Sequence, residues 1–288
     1  MATRITDIVV AEVLADAVRA AFSGGMNALW GTGAAVVNGS FPGGKDKVGT
    51  SVKIPYFSGI GEWEAIVDAS AFTPTKITMS EEEDVVIKIG KAFSITDWAT
   101  FAAVGDPYEE AARQMKAGFQ AKLDKLLIAK AVASVPAMTV DVYSATTPRV
   151  IDSDLVIDGR AKFGDEAGDR ALLVCHSKVE NDMRKIKRSD GSPMFMDPAT
   201  GGLGRFAGYP VGMSDRMTAS TATPPKYTTI LAQPGALVCW YNGEPVVETG
   251  RDILATADVI VVSTYAVVHR YLRMQDRTKP GIALLQHN

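Results

Sequence analysis

Apolar positions in this chain recur with two different periods, and the changes between them mark out the elements. Ile8, Val9, Glu12, Val13, Asp16, Ala17 and Ala20 keep helical spacing, which predicts a short amphipathic helix over Ile5 to Phe22. From Ser23 to Lys47 the pattern dissolves into the glycine-rich run GGMNALWGTGAAVVNGSFPGGKDK, suited to an arm lying over a neighbour rather than to a core. Two-residue alternation starts at Val52. It is sharpest where Val85, Ile87, Ile89, Phe93 and Ile95 stand against Lys88, Gly90, Ser94 and Thr96, a long half-buried strand. Between them, Ser58 to Asp84 holds Gly59, Gly61, Glu62, Glu64 and Asp68, a Thr73-Pro74 turn, a short strand over Lys76 to Met79 and the acidic run Glu81 to Asp84. A connection of that length is unusual inside a compact domain, and it reads as a projecting, hairpin-like loop.

Asp106-Pro107-Tyr108-Glu109 is strong punctuation: an N-cap Asp, Pro at the first helical position and Glu at the third. The helix that follows carries Met115, Phe119, Leu123, Leu126 and Leu127 as one apolar stripe, with Glu109 placed to pair with Arg113 and Pro136 closing the segment. A helix of about 28 residues spans roughly 40 Å, long enough to act as a strut. Further on, the pattern predicts a helix over Leu155 to Phe163, a strand over Leu172 to Cys175, and a capping box at Ser177 to Glu180 opening a helix to about Arg188. A Gly/Pro-rich loop, Gly191 to Pro210, precedes strands at Val211 to Ser214, Tyr227 to Leu231, Ala236 to Tyr241, Val259 to Ser263 and Tyr265 to Leu272. That order is α+β rather than the regular alternation of a doubly wound sheet.

Composition narrows the function. With 288 residues, 47% hydrophobic and 22% charged, the chain is globular, and a net charge of -3 supplies no basic field for gripping nucleic acid. Cys175 and Cys239 are too few and too far apart for a disulfide framework or a zinc site, which points to a reducing compartment. Asp7, Glu12 and Asp16 interrupt the apolar start, leaving no signal-peptide core, and no stretch reaches the length of a membrane span.

Each motif that could carry chemistry has a plainer structural reading. Gly39 to Asp46 nearly spells a P-loop, but Asp46 stands where a hydroxyl should meet magnesium, and the segment runs into strand-like sequence rather than a helix. Cys175 and His176 are sequence neighbours on a strand and point to opposite faces, so they form no dyad. The three histidines, His176, His269 and His287, share no metal-ligand spacing. Asp152, Asp154, Asp158, Asp165, Glu166 and Asp169 fit solvated helix ends better than a cation site. Gly201-Gly202-Leu203-Gly204 lacks the flanking strand and helix of a dinucleotide fingerprint, and Arg184, Lys185, Lys187 and Arg188 sit where a helix C-terminus favours cations. No catalytic residue, cofactor or metal is therefore expected, and the chain is not expected to be an enzyme.

A collinear series of passages resembles the major capsid proteins of tailed bacteriophages: VKIPYF (Val52 to Phe57), TPTKITMS (Thr73 to Ser80), IGKAFSITDWA (Ile89 to Ala99), GDPYEEAARQM (Gly105 to Met115), LLVCHSKVENDMRKI (Leu172 to Ile186) and GYPVGMSDRM (Gly208 to Met217). The resemblance implies an α+β chain of the Hong Kong type capsid fold. Its parts would be an N-terminal arm (1–49), an extended loop with peripheral-domain strands (50–105), a peripheral-domain segment with a long spine helix (106–150), an axial domain (151–251) and a return to the peripheral domain (252–288).

It also implies self-assembly into hexamers and pentamers of an icosahedral head around double-stranded DNA, touched by weak non-specific contact. Further implied partners are a portal and decoration proteins, with no membrane involved; where many relatives begin with a long charged scaffolding segment, strand-like sequence starts here within about fifty residues of Met1, which points to a separate scaffolding protein. Assembly would take place in the host bacterial cytoplasm. An encapsulin-like shell protein and a cytosolic α+β enzyme are the alternative readings. In the extended loop, Phe57, Ile60, Trp63, Ile66 and Phe72 form an apolar series in acidic, glycine-rich sequence, which a neighbouring subunit is expected to cover.

Overall fold

One long helix packs against residues of two sheets in a single apolar cluster, and a second cluster fills the opposite face of one of those sheets. The computed structural model describes residues 28–41, 49–58, 65, 74–103, 107–133, 135–167, 172–198, 203–217, 219–242, 245–273 and 279–288. The first half of the chain gives α1 (Ala28–Gly31), β1 (Ala35–Asn38), β2 (Ser51–Phe57), β3 (Met79–Val85), β4 (Ile87–Thr96), α2 (Asp97–Ala102), α3 (Pro107–Val132) and β5 (Thr139–Asp141). There follow α4 (Ser153–Ala161), β6 (Leu172–Cys175), α5 (Ser177–Lys185), β7 (Phe195–Met196), β8 (Arg205–Phe206), β9 (Tyr209–Met213) and β10 (Tyr227–Ala232). The chain ends in β11 (Leu237–Tyr241), β12 (Val246–Asp252), β13 (Ala257–Arg270) and β14 (Ile282–His287).

The first sheet is built on β13. Along one edge β4 pairs antiparallel from Thr96↔Ala257 to Ile87↔Ala266. Along the other edge β12 and β11 lie end to end, with Val246 opposite Ser263 and Tyr241 opposite Ala266, and β1 adds parallel to β11. The second sheet runs β5-β14-β10-β6-β9-β8-β7. Its central strands are buried on both faces, which is why Leu172–Cys175 reads as an unbroken apolar run. Leu173, Cys175, Leu231 and Leu285 face Leu155, Val156 and Phe163, together with Val179 and Met183 of α5. Leu172, Val174, Ile230 and Leu284 turn the other way, onto Leu123, Leu127 and Ala131 of α3 and onto Leu237, Cys239 and Ile260 of the first sheet. The helix thus joins both sheets through one apolar cluster.

Several expectations change in the folded chain. The glycine-rich stretch contributes to its own subunit's core: Leu29, Ala34 and Ala35 are buried there, because β1 can extend the first sheet at the edge of β11. Phe41 is buried against Val238 and Trp240. The acidic run Glu81–Asp84 belongs to β3 rather than to a loop, held in register by a Lys53–Glu81 ion pair and by the Ser51 hydroxyl donating to Glu83. What reads as two strands at Val259–Ser263 and Tyr265–Leu272 is the single strand β13. Helix α5 is capped by His176, whose Nδ1 accepts from the Lys178 N–H at 3.1 Å, and Glu180 pairs with Arg184 instead of closing a capping box. Arg113 is held by Glu110 at 2.7 Å. The helix expected over Ile5 to Phe22 and the N-cap at Asp106 lie outside the described residues.

Candidate functional site: assembly surfaces

Strands β2 and β3 form a two-stranded ribbon of their own, paired from Ser51↔Val85 to Phe57↔Met79. Its base is anchored where Val52 and Ile54 bury against Phe41, Val238, Trp240 and Val267. At its outer end Phe57 is 63% exposed and its partner Met79 is exposed too, as are Ile77 just before β3 and Val85 at the base. Two-stranded ribbons are marginal in water, and apolar side chains along one ask for a cover. Of the loop series, Phe57 is the one member among the described residues, and it is exposed at the outer end of β2. Ile60, Trp63, Ile66 and Phe72 lie outside the described residues.

A polar lock fixes the ribbon to the body. Asp84 of β3 meets His269 of β13, Oδ2 lying 2.6 Å from Nδ1, and also meets Lys130 near the end of α3. Glu82 approaches His269 Nε2 at 3.6 Å, and Trp240 and Tyr271 pack against the imidazole, which is 3% exposed. Burial pushes the Asp84 carboxyl up, but hydrogen bonds and charge from His269 and Lys130 outweigh it and hold the group below its ordinary 3.8. A carboxylate held low in the folded state stabilises fully above its unfolded value, and that stabilisation is lost as pH falls through the folded value. Asp84→Asn is therefore expected to flatten the fall in melting temperature below about pH 4. Parent and variant curves with the same acid limb would show that the lock contributes nothing.

A second surface lies at the far end of the first sheet. The Asp97 N–H donates to the Thr256 carbonyl at 3.0 Å, and Arg251 bridges Asp97 at 2.5 Å and Asp258 at 2.9 Å, so α2 and the β12–β13 turn form one tip. Trp98 (75% exposed), Phe101 (83%) and Leu254 (99%) stand out from it, together with Ile253. Trp98 and Phe101 lie 6.0 Å apart, centroid to centroid. Reading the sequence missed this tip because Ile253 and Leu254 occupy a turn and follow neither period.

The residues weighed for catalysis are occupied structurally. Burial pushes both the Cys175 and the Cys239 thiol up to about 12, far from a nucleophile. Asp152 caps α4, its Oδ1 accepting from the Leu155 N–H at 2.8 Å, and it also pairs with Arg149. Arg184 is tied to Glu180 and Asp197, and Lys185 to Asp182. Among the described residues no group of three His, Cys, Asp or Glu could hold a metal ion, and no helix is long and apolar enough to cross a membrane.

A long helix packed against two sheets, with a two-stranded ribbon and an exposed apolar tip, is the arrangement that comparison with known proteins identifies. The Phage capsid protein family matches residues 81–272, and the chain belongs to that family. It is 22% identical over 237 residues to the major capsid protein of Bacillus phage SPP1, covering 77% of this chain and 70% of that one. Among solved structures, the capsid of a native GTA particle superposes with a TM-score of 0.65 at 16% identity, covering 92% of each chain. The capsid of Ralstonia phage GP4 gives 0.63 at 10% identity, covering 84% of each. The fold is the Hong Kong type capsid fold, the role that of a phage major capsid protein, and the place the virion capsid.

Proposed function

We propose that the chain builds an icosahedral head by self-assembly into hexamers and pentamers, and that the closed shell encloses double-stranded DNA. The observation that carries this reading is the ribbon and its continuation, where the exposed apolar side chains of Phe57, Ile77 and Met79 have no cover among the described residues. The apolar tip at Trp98, Phe101, Ile253 and Leu254 is a second surface of the same kind. In this reading residues 1–49 are the N-terminal arm, 50–105 the extended loop and peripheral strands, and 106–150 the spine-helix segment. The axial domain begins at about residue 151 and takes in β14 (Ile282–His287), which pairs with β10, while β11 and β12 go with β13 to the peripheral sheet. A net charge of -3 suits weak, non-specific contact with packaged DNA. A separate scaffolding protein, a portal and decoration proteins complete the assembly in the host cytoplasm, and the subunit catalyses nothing.

Sedimentation velocity on the purified, folded chain tests this. Species of hexamer size and above are expected. A stable monomer or dimer at every concentration would overturn the proposal.

A further inference from the structure

Asp124 lies in the middle of α3, fully buried, and only one of its two carboxylate oxygens is satisfied. Both described donors crowd onto Oδ2: the Ser214 hydroxyl at 2.9 Å, and the Arg216 guanidinium through Nη1 alone at 3.2 Å. Oδ1 has no hydrogen-bond partner among the described residues. A buried carboxylate oxygen left without a donor is costly, and an arginine already touching the other oxygen is the side chain shaped to take both. The Arg216 side chain is 41% exposed, so it has room to turn.

The turn that carries Arg216 restrains it. Ser214, Asp215 and Arg216 follow β9 directly, yet they are tied to different bodies. Ser214 and Arg216 hold α3, whereas Asp215 is held by the side chain and backbone of Ser177 at the start of α5. The Ser214 N–H also donates to the Cys175 carbonyl at 2.9 Å, fixing the turn to the end of β6. A grip on both oxygens therefore needs the second sheet and α5 to shift relative to α3. A small movement between helix and sheet is converted into one charge-assisted hydrogen bond made or lost.

We infer that Asp124 and Arg216 form a two-state joint between α3 and the second sheet, with a one-oxygen grip in the free subunit and a two-oxygen grip in the assembled one. Such an element responds only to contacts that differ between its states. Met213, exposed and last in β9, stands at the root of the turn, so a second copy that covers it bears on the joint directly. Arg216 is thus a positioning residue. The inference rests on the self-assembly proposed above and adds a change inside each subunit as it joins.

Arg216→Lys separates a joint from a simple rivet, because lysine keeps the charge and a single contact but has no planar fork to span two oxygens. The variant is expected to melt within a few degrees of the parent while its assembled fraction, measured by sedimentation, falls about tenfold. Ser214→Ala removes a donor to Oδ2 and leaves the fork in place, so it is expected to lower the melting temperature and still assemble. Arg216→Lys assembling like the parent, or losing assembly only in step with its melting temperature, would overturn the joint. Electron cryomicroscopy of parent shells reads the geometry itself. Both Asp124 oxygens on the Arg216 guanidinium are expected; shells in which Oδ1 stays unpartnered, or pairs with another group, would overturn the joint and leave self-assembly standing. If the parent chain never exceeds a dimer, self-assembly falls and the joint with it.

Discussion

Leu123→Asp is expected to leave no folded subunit at 37 °C. Leu123 is buried in the one cluster that joins α3 to both sheets, among Leu127, Ala131, Leu237 and Leu284. The substitution removes the apolar contacts of a core leucine and forces an unpaired carboxylate into the same space, two losses that together exceed about 4 kcal/mol. Total stabilities of about 5–15 kcal/mol leave little after such a loss. Leu126, on the same stripe, is only half buried, so Leu126→Asp is expected to cost less. Thermal melts followed by circular dichroism check the order. A Leu123→Asp melt close to the parent's would mean that the helix is not the joint between the sheets.

The double variant Trp98→Asp/Leu254→Asp is expected to do the reverse, keeping the fold and losing the assembly. Both side chains stand in solvent, and changes at such positions usually move stability by within about 0.5 kcal/mol. At an interface, truncating a buried aromatic or aliphatic anchor costs about 2 kcal/mol or more, and introduced like charges add repulsion wherever copies meet. The tip itself is held by Arg251, Asp97 and Asp258, which the variant leaves in place. A melting temperature within a few degrees of the parent's, with assembled material reduced at least about tenfold, is the expected pair of results. A large fall in melting temperature would place these residues in their own subunit's core.

Much of the fold was legible where period and burial coincide. Helix α3 announced itself through the Leu123/Leu127 stripe, and β6 through an unbroken apolar run that only a strand covered on both faces needs. The errors have a common cause in long-range partners. Glu81–Asp84 looks like a loop until Lys53, Ser51, His269 and Lys130 supply what an acidic strand requires. The 35–38 segment reads as an arm until β11 offers its edge, and β14 stays hidden because its strand signal depends on β5 and β10 lying on either side. Of the candidate site, the exposed Phe57 was visible because an apolar residue entering an acidic, glycine-rich stretch violates the local pattern. The tip and the Asp124 joint were not, since each is assembled from segments far apart in sequence: α2 with the β12–β13 turn, and α3 with the turn after β9.

Self-assembly into a closed shell is the central claim, and electron microscopy of the purified, assembled chain tests it most directly. Particles of uniform diameter are expected, whose surface averages resolve both sixfold and fivefold capsomers. Folded protein that yields only scattered small oligomers, with neither symmetry present, would contradict the account.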